Sequence, residues 1–447
     1  MVKVEVTIIS KETIKPSSPT LHLKPYKLSL LDQVTPTTYA PTVFFYPMTD
    51  HFNLNVSQII AQHKKSLSDT LSIFYPFSGR LKDNLFIHEF DMGVPYLEAR
   101  VNCCMSEFLE HQETELLNLF LPYHVFRKEA DTSVALMAVQ MNLFVCGGIA
   151  IGVSCSHKLV DGTTASSFFH SWAATSIGSL EKVIHPNFTD GSSLFPPRDS
   201  LPQKYLATMD NLWFKEGVYV TRRFVFDNKA IATLRAKAKS ERVPKPTRIE
   251  ALTGFIWKHC MEASKAIKSG SNRISILVQA VNLRPRMKSH LSDSSIGNQF
   301  WWAPAAADLG VEERELYELV DQVKEAIAGF DGDCTEGLQG DEGLSAFSGY
   351  FDQLEDMFSV EIKPDVYAFT CWIRLFNDID FGWGKPFWVG CNGKVGPAFR
   401  NLIIFNETPW GNGIEAWVTM DEKELAILEN DSEFLAFASS NPSISCA

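Results

Sequence analysis

Several features are scarce or missing in this chain, and each absence excludes something. No run of about 18 apolar residues occurs, so no membrane-spanning helix is expected. Positive charge is not in excess: 41 Lys and Arg face 53 Asp and Glu, for a net charge of −12. A broad basic face is therefore absent, and nucleic acid and anionic membrane are not expected partners. Cysteine is sparse and odd in number, 9 in 447 residues, with none at zinc-finger spacing. Reduced, buried thiols are expected in place of a disulfide framework, and no metal site is expected. No G-x-x-x-x-G-K-[ST] or G-x-G-x-x-G segment is present to cradle phosphates. "GVSCS" (152–156) lacks the second glycine of a serine-hydrolase elbow. The opening "MVKVEVTIISKETI" alternates like a strand and has no secretory apolar core, so a cytoplasmic location is the expectation. The sequons at Asn55, Asn187 and Asn406 are then read as chance. Coiled-coil heptads are also lacking, and a monomer is expected.

What is present is an ordinary globular composition, 45% apolar and 21% charged, in a chain long enough for two domains. Aromatic residues reach 12%, enough for large cores or an apolar ligand tunnel. The clearest break is "HPNFTDGSSLFPPRDSLPQKY" (185–205), rich in Pro, Ser and Asp and without periodicity, which reads as a long crossover. Helical spacing marks 57–74, with Ile59, Ile60, His63, Leu67 and Leu71 apolar-facing, and also 163–176, 248–264, 312–330 and 421–429. Strands are read at 94–103, 133–144, 147–157, 219–227, 274–284, 401–407 and 413–420, and the tail 439–447 reads as frayed. Strands and helices mix in both halves, which points to two α/β lobes with a cleft between them.

One stretch concentrates chemistry: "SCSHKLVDG" (154–162). Alternation places Ile149, Ile151, Val153, Cys155 and His157 on one strand face, so His157 continues an apolar row at the strand's exit. Asp161 precedes Gly-Thr-Thr-Ala and a helix, as a cap or turn residue would. His157 is a satisfied core histidine or a general base, and Asp161 either pairs with it or locks the loop; local pattern does not choose. A metal pair is disfavoured, because ligands four apart share a face only on a helix and no third ligand is near. A second stretch, "DIDFGWGKP" (378–386), packs Gly382, Trp383 and Gly384 behind Asp380, as a tight loop anchored by its tryptophan would.

Together "HKLVDG" and "DFGWG" resemble the two motifs of the plant BAHD acyl-CoA-dependent acyltransferases. Further segments match in order: "LSLLDQ" (28–33), "FFYP" (44–47), "YPFSGR" (75–80), "GVPYLEARV" (93–101), "RRFVFD" (222–227), "IWKHC" (256–260) and "QAVNLRPRM" (279–287). The resemblance spans almost the whole chain, and "KETIKPSSPT", "LSLLDQ" and "QAVNLRPRM" look most like the branch containing vinorine synthase and salutaridinol acetyltransferase. It implies an α/β fold of two chloramphenicol acetyltransferase-like domains, joined by a long crossover, with a solvent channel between them. The expected division is 1–190 carrying HxxxD, a crossover at 191–212, and 213–447 carrying DFGWG. It implies acetyl-CoA as co-substrate, no permanently bound cofactor, and a bulky alkaloid or terpenoid alcohol as acceptor. Transfer of a hydroxycinnamoyl or other acyl group to a phenolic or naphthoquinone alcohol is the alternative; a silent or condensation-type protein of the same fold is a more distant one, since Ser156 stands where condensation domains usually carry a first histidine.

The resemblance also assigns residues. His157 is implied as the base. Asp161 is implied to point away and pair with Arg284, with Gly162 beside it. Asp380, Gly382 and Gly384 shape their loop, and Trp383 is implied to offer its indole N–H near the oxyanion, so Asp380 and Trp383 are counted with His157 in the catalytic set. For the coenzyme phosphates, Lys245, Thr247 and Arg248 stand just before a helix start, where cations and free N–H groups coincide. "SIGNQFWW" (295–302) keeps Gly297 and Asn298 of a family segment but departs before them, which leaves its role open. Trp301 and Trp302 read as core or as walls of an acceptor pocket.

Overall fold

In the computed structural model, the described residues are 3–47, 55–110, 113–123, 134–268, 273–288, 291–308, 310, 314–359, 363–391, 393, 401–409 and 411–444. Two large sheets organise them. The first has the order Val6–Ile14, Val94–Val101, Met137–Phe144, Ile149–Ser156, Tyr39–Tyr46, Trp388–Gly390. The second has the order Phe300–Asp308, Ile274–Asn282, Asp365–Cys371, Leu402–Glu407, Gly413–Asp421, Tyr219–Asp227, Ser439–Ser440. A small sheet of Tyr26–Lys27, Phe86–His88 and Arg80–Lys82 sits apart. All the strands and helices read from periodicity occur, with ends moved by a few residues; Ser133 and residues 312–313 lie outside the described residues.

Helices Val56–Ile73 and Gly162–Ser176 cover the first sheet, burying the predicted stripe of Ile59, His63, Leu67 and Leu71 against Phe168, Phe169 and Trp172. His63 is held neutral there; burial pushes its pKa down to about 3. Helices Arg248–Ile267, Leu316–Ala328 and Glu422–Leu428 cover the second sheet, and Thr247 and Glu250 close a reciprocal cap at the start of the first of them. The crossover is more ordered than its composition suggests: it carries helices Asp190–Leu194 and Gln203–Trp213, the latter amphipathic with Tyr205, Met209 and Leu212 buried. The tail also departs from expectation, since Ser439–Ser440 pairs with Tyr219–Asp227 and Asn441 Oδ1 accepts the Arg223 N–H at 2.8 Å.

One strand decides how the domains meet. Trp388–Gly390 follows the second sheet's Asp365–Cys371 in the chain but pairs antiparallel with Tyr39–Tyr46 of the first, Trp388 opposite Phe45. Trp388 then stacks on Phe45 and on Trp417 (5.2 and 5.7 Å between centroids), so one indole joins strands of both sheets. Its Nε1–H donates to the fully buried Glu415, which also holds Arg223 at 2.8 Å. Among the described residues all eight cysteines are free: Cys103, Cys155, Cys260 and Cys391 are buried as expected, whereas Cys146 and Cys371 are exposed, a correction to the sequence reading.

Candidate active site

Between the two sheets lies a cavity of about 340 Å³. The first sheet contributes residues around Thr38–Thr42, Cys155 and His157; the second contributes Val278, Ala280, Phe300, Trp302 and Thr370; the crossover contributes Leu212 and Trp213. The antiparallel register of Tyr39–Tyr46 on Ile149–Ser156 puts Ala40 opposite Cys155. The His157 backbone N–H then donates to Thr38 O at 2.8 Å, which fixes the strand exit where the imidazole enters the cavity.

The imidazole is oriented by a residue from the other half of the chain. Asn298 donates from Nδ2 to Asp32 Oδ1 (2.9 Å) and to the His157 carbonyl (2.6 Å), and from its backbone N–H to Asp32 Oδ1 (2.7 Å). With its NH₂ spent on two acceptors, only Oδ1 is left to face the ring, and it lies 3.1 Å from His157 Nδ1. An amide oxygen only accepts, so Nδ1 carries the hydrogen and Nε2 keeps its lone pair. Asp32 is fully buried and accepts from four donors, two on Ser29 and two on Asn298. Burial raises its carboxyl above the ordinary value and those donors act against the rise. Lys158 fastens the helix that carries Asp32: its Nζ donates to Gln33 O (2.8 Å) and Asp32 O (3.3 Å), and burial pushes its pKa down to about 7. Burial likewise holds His157 below the usual histidine pKa, with the Asp161 charge the largest opposing influence.

Asp161 turns the other way. Its carboxylate is forked on Arg284, Oδ2 to Nη1 at 2.7 Å and Oδ1 to Nη2 at 3.2 Å. It also accepts the Thr164 N–H as cap of Gly162–Ser176 (2.8 Å) and the Gln299 N–H (3.0 Å). Burial alone would raise its pKa; the Arg284 charge and these donors outweigh that and hold it low. Arg284 is 1% exposed, and spends further N–H groups on the carbonyls of Ser295 (3.0 Å) and Gly297 (3.1 Å). Gly297 has φ of +108°, and a Cβ there would stand 2.8 Å from Tyr26 OH and 3.1 Å from Asp32 Oδ2. The turn that delivers Asn298 to His157 therefore requires glycine. Gly162 is less constrained: a Cβ there would meet only the tip of the Leu375 side chain, at 2.9 Å.

The structure brings His157, Asp161, Gly162 and Arg284 together, whereas Asp380 and Trp383 stand apart from them. Neither lines the cavity. Because Trp388–Gly390 pairs with the edge of the first sheet, residues 380–384 are carried onto that domain's helical layer. Trp383 is 5% exposed there, packed against Tyr46 and His63 (6.1 and 5.9 Å), and its buried Nε1 has no partner among the described residues. Asp380 Oδ1 accepts the N–H groups of Gly382 (2.8 Å) and Gly384 (2.9 Å), whose φ values of 104° and 96° favour glycine. The lining does include donor groups, among them the hydroxyls of Thr38, Thr42, Thr163 and Thr370 and the side chains of Trp302 and Asn401.

Thr247 is occupied as a cap, accepting the Glu250 N–H at 3.1 Å, and it lines a second cavity of about 260 Å³ that shares Ala280 and Asn282 with the first. Arg248 lies close enough to Cys371, in the lining of the main cavity, for its charge to act on that thiol. Lys245 is exposed and lines neither cavity. Sequence reasoning missed Asn298, Asp32, Trp213 and Phe300; only the kept Gly297-Asn298 pair and the "LSLLDQ" match hinted at the first two. Away from the cavity, His259, Glu262 and Asp431 have metal-ligand composition, but His259 Nδ1 is already bonded to Asp431 Oδ2 at 2.6 Å.

The profile of the Transferase family matches residues 4–435. The chain is 42% identical over 445 residues to akuammiline synthase 2 of Alstonia scholaris, covering 98% of each. It is also 42% identical to limonoid 7-O-acetyltransferase of Citrus sinensis, covering 98% of this chain and 99% of that one. The crystal structure of vinorine synthase superimposes with a TM-score of 0.82 at 33% identity, over 98% of this chain and 100% of that chain. With a profile spanning nearly its whole length and a fold shared at this identity, the chain belongs to the Transferase family, the BAHD acyltransferases that its HKLVDG and DFGWG segments resemble.

Proposed function

We propose that the protein is an acyl-CoA-dependent O-acyltransferase, transferring acetyl from acetyl-CoA to a bulky polycyclic alcohol. The observation that carries this is His157, held in an inter-sheet cavity with Nδ1 committed to Asn298 and Nε2 left basic. Relatives of high identity include a limonoid O-acetyltransferase, which supports acetyl as the donor group. Nε2 takes the proton of the acceptor hydroxyl as its oxygen attacks the thioester carbonyl. The tetrahedral oxyanion is met by cavity donors such as the threonine hydroxyls. Collapse expels CoA thiolate, which recovers the proton from His157. Thiolate leaves readily, so no acyl-enzyme forms. Holding both substrates in one cavity supplies much of the rate. In this reading the coenzyme phosphates lie toward Lys245, Thr247 and Arg248, at the start of helix Arg248–Ile267.

CoA release should require both substrates together, with initial-velocity lines that intersect. Parallel lines or a burst of CoA without acceptor would overturn the ternary-complex reading. A mass-spectrometric screen of alcohols against acetyl-, malonyl- and hydroxycinnamoyl-CoA tests the donor.

Two further expectations follow. Asn298→Ala removes the acceptor that fixes the ring. A buried hydrogen bond of about 1–3 kcal/mol corresponds to a fall in kcat of about five- to a hundredfold. The KM for acetyl-CoA should stay near wild type, and an unchanged kcat removes Asn298 from the machinery. The second concerns pH. The base must be neutral and burial lowers its pKa, so kcat/KM should be flat above the ordinary histidine value and fall as pH drops through the depressed one. An inflection above about 6.5 would contradict the geometry.

A further inference from the structure

The cavity beside His157 has an aromatic wall of three rings built from two separate elements. Trp213 ends the crossover helix, and Phe300 and Trp302 alternate on the edge strand of the second sheet, while Trp301 between them turns into the core against Phe347. Trp213 stands across Trp302 at 5.8 Å and 80°, and Phe300 across Trp302 at 5.4 Å and 87°. The His157 ring is 5.0 Å from Trp213 and 5.8 Å from Phe300, so the wall begins where the reacting hydroxyl must sit.

The described lining offers no free counter-ion for a cation. Among the described lining residues the only carboxylate is Asp161, and both its oxygens are taken by Arg284, Thr164 and Gln299. Beyond the lining, Glu407 and Arg248 both act on Cys371, Glu407 more strongly, so these two charges offset each other there. A positively charged acceptor would leave water without a counter-ion. Attraction to the ring faces recovers only a small part of the hydration lost.

We propose that this site takes its acceptor uncharged: a neutral polycyclic alcohol of the terpenoid kind, seated against Trp213, Phe300 and Trp302, with skeletons bearing a fixed positive charge excluded. The inference rests on the acyl-transfer reading for its chemistry, but the choice of ligand charge stands on the lining.

The test uses the full-length protein and three probes: a limonoid alcohol, a polycyclic amino alcohol converted to its neutral lactam, and the same skeleton as its N-methyl quaternary salt. Binding by calorimetry is read beside acetyl-CoA consumption. The lactam and the limonoid alcohol should bind and be acetylated, and the salt should show at least a hundredfold lower kcat/KM and no measurable binding heat. Trp302→Glu, or Phe300→Glu if the first does not fold, supplies the missing counter-ion and should admit the salt while weakening the neutral probes at least tenfold. A purely structural role for the rings would not produce that reversal. Salt bound or acetylated within threefold of the lactam by the wild type overturns the inference. Preferential binding of the neutral probes without CoA release supports it and overturns the acetyl-transfer reading instead.

Discussion

His157→Ala should lower kcat for acetyl transfer by about 10²- to 10⁴-fold, the range attached to a positioned general base. That corresponds to about 3–5 kcal/mol of transition-state stabilisation. The loss should be this large because no neighbour can take over. Among the described titratable residues in the lining, Cys155 has its thiol pushed up to about 12 by burial, Cys371 is open to the cavity but surrounded by enough protein that desolvation raises its thiol too, and Asp161 is committed to Arg284 with its pKa held low. None of these is a neutral-range base. Binding should persist, since the aromatic wall is untouched, so KM should move far less than kcat. The control is a denaturation curve: the kinetic loss should far exceed any shift in stability, because the imidazole makes a single side-chain hydrogen bond, to Asn298. Turnover equal to wild type with a confirmed alanine would dispose of His157 as the base.

What the sequence made legible follows how local each determinant is. The row Ile149, Ile151, Val153, Cys155, His157 repeats every second residue, and it placed His157 at the exit of a buried strand without any long-range information; that this exit opens on a cavity came only through the resemblance. Asp161 was legible as a cap from the Gly-Thr-Thr that follows it. Its partner Arg284, 123 residues away, came only through the resemblance. Asn298 was left open because its meaning depends on Asp32, 266 residues distant, and no pattern along the chain joins them. The position of Trp383 was not legible for a related reason. Gly-Trp-Gly says that a tight loop is present; which sheet it lies on is set by three residues, Trp388–Gly390, pairing with a strand from the other end of the chain. The strand Phe300–Asp308 escaped notice because Gly and Asn lead into it, and so the split of Trp301 to the core and Trp302 to the cavity was not available. Helix Gln203–Trp213 was hidden by the Pro- and Ser-rich segment before it.

Asp161→Ala should cost about 3–5 kcal/mol, the effect of breaking a buried ion pair and leaving one charge alone. Arg284 would keep the carbonyls of Ser295 and Gly297 but no anion, at 1% exposure. Helix Gly162–Ser176 would lose its cap, a further loss of about 1 kcal/mol, and the Gln299 N–H would lose its acceptor. Against a total of about 5–15 kcal/mol this is a large fraction, so the variant should be mostly insoluble or melt early. Asp161→Asn keeps the shape and the cap and removes only the charge, so it should fall between the two. The paired change Asp161→Leu with Arg284→Leu should be more stable than Asp161→Ala alone, since no uncompensated charge remains. The pH dependence has a definite sign: Asp161 has its folded pKa depressed, so its contribution is present above the ordinary carboxyl value of about 3.9 and is lost as pH falls through the depressed one. Urea titrations of the four proteins, read at the first transition because two domains need not unfold together, measure all of this. Whatever folded fraction of Asp161→Asn survives should keep most of its kcat, because the carboxylate faces Arg284 and His157 Nδ1 faces Asn298. If Asp161→Asn folds with wild-type stability and yet loses kcat as His157→Ala does, the brace is wrong and Asp161 belongs to the chemistry.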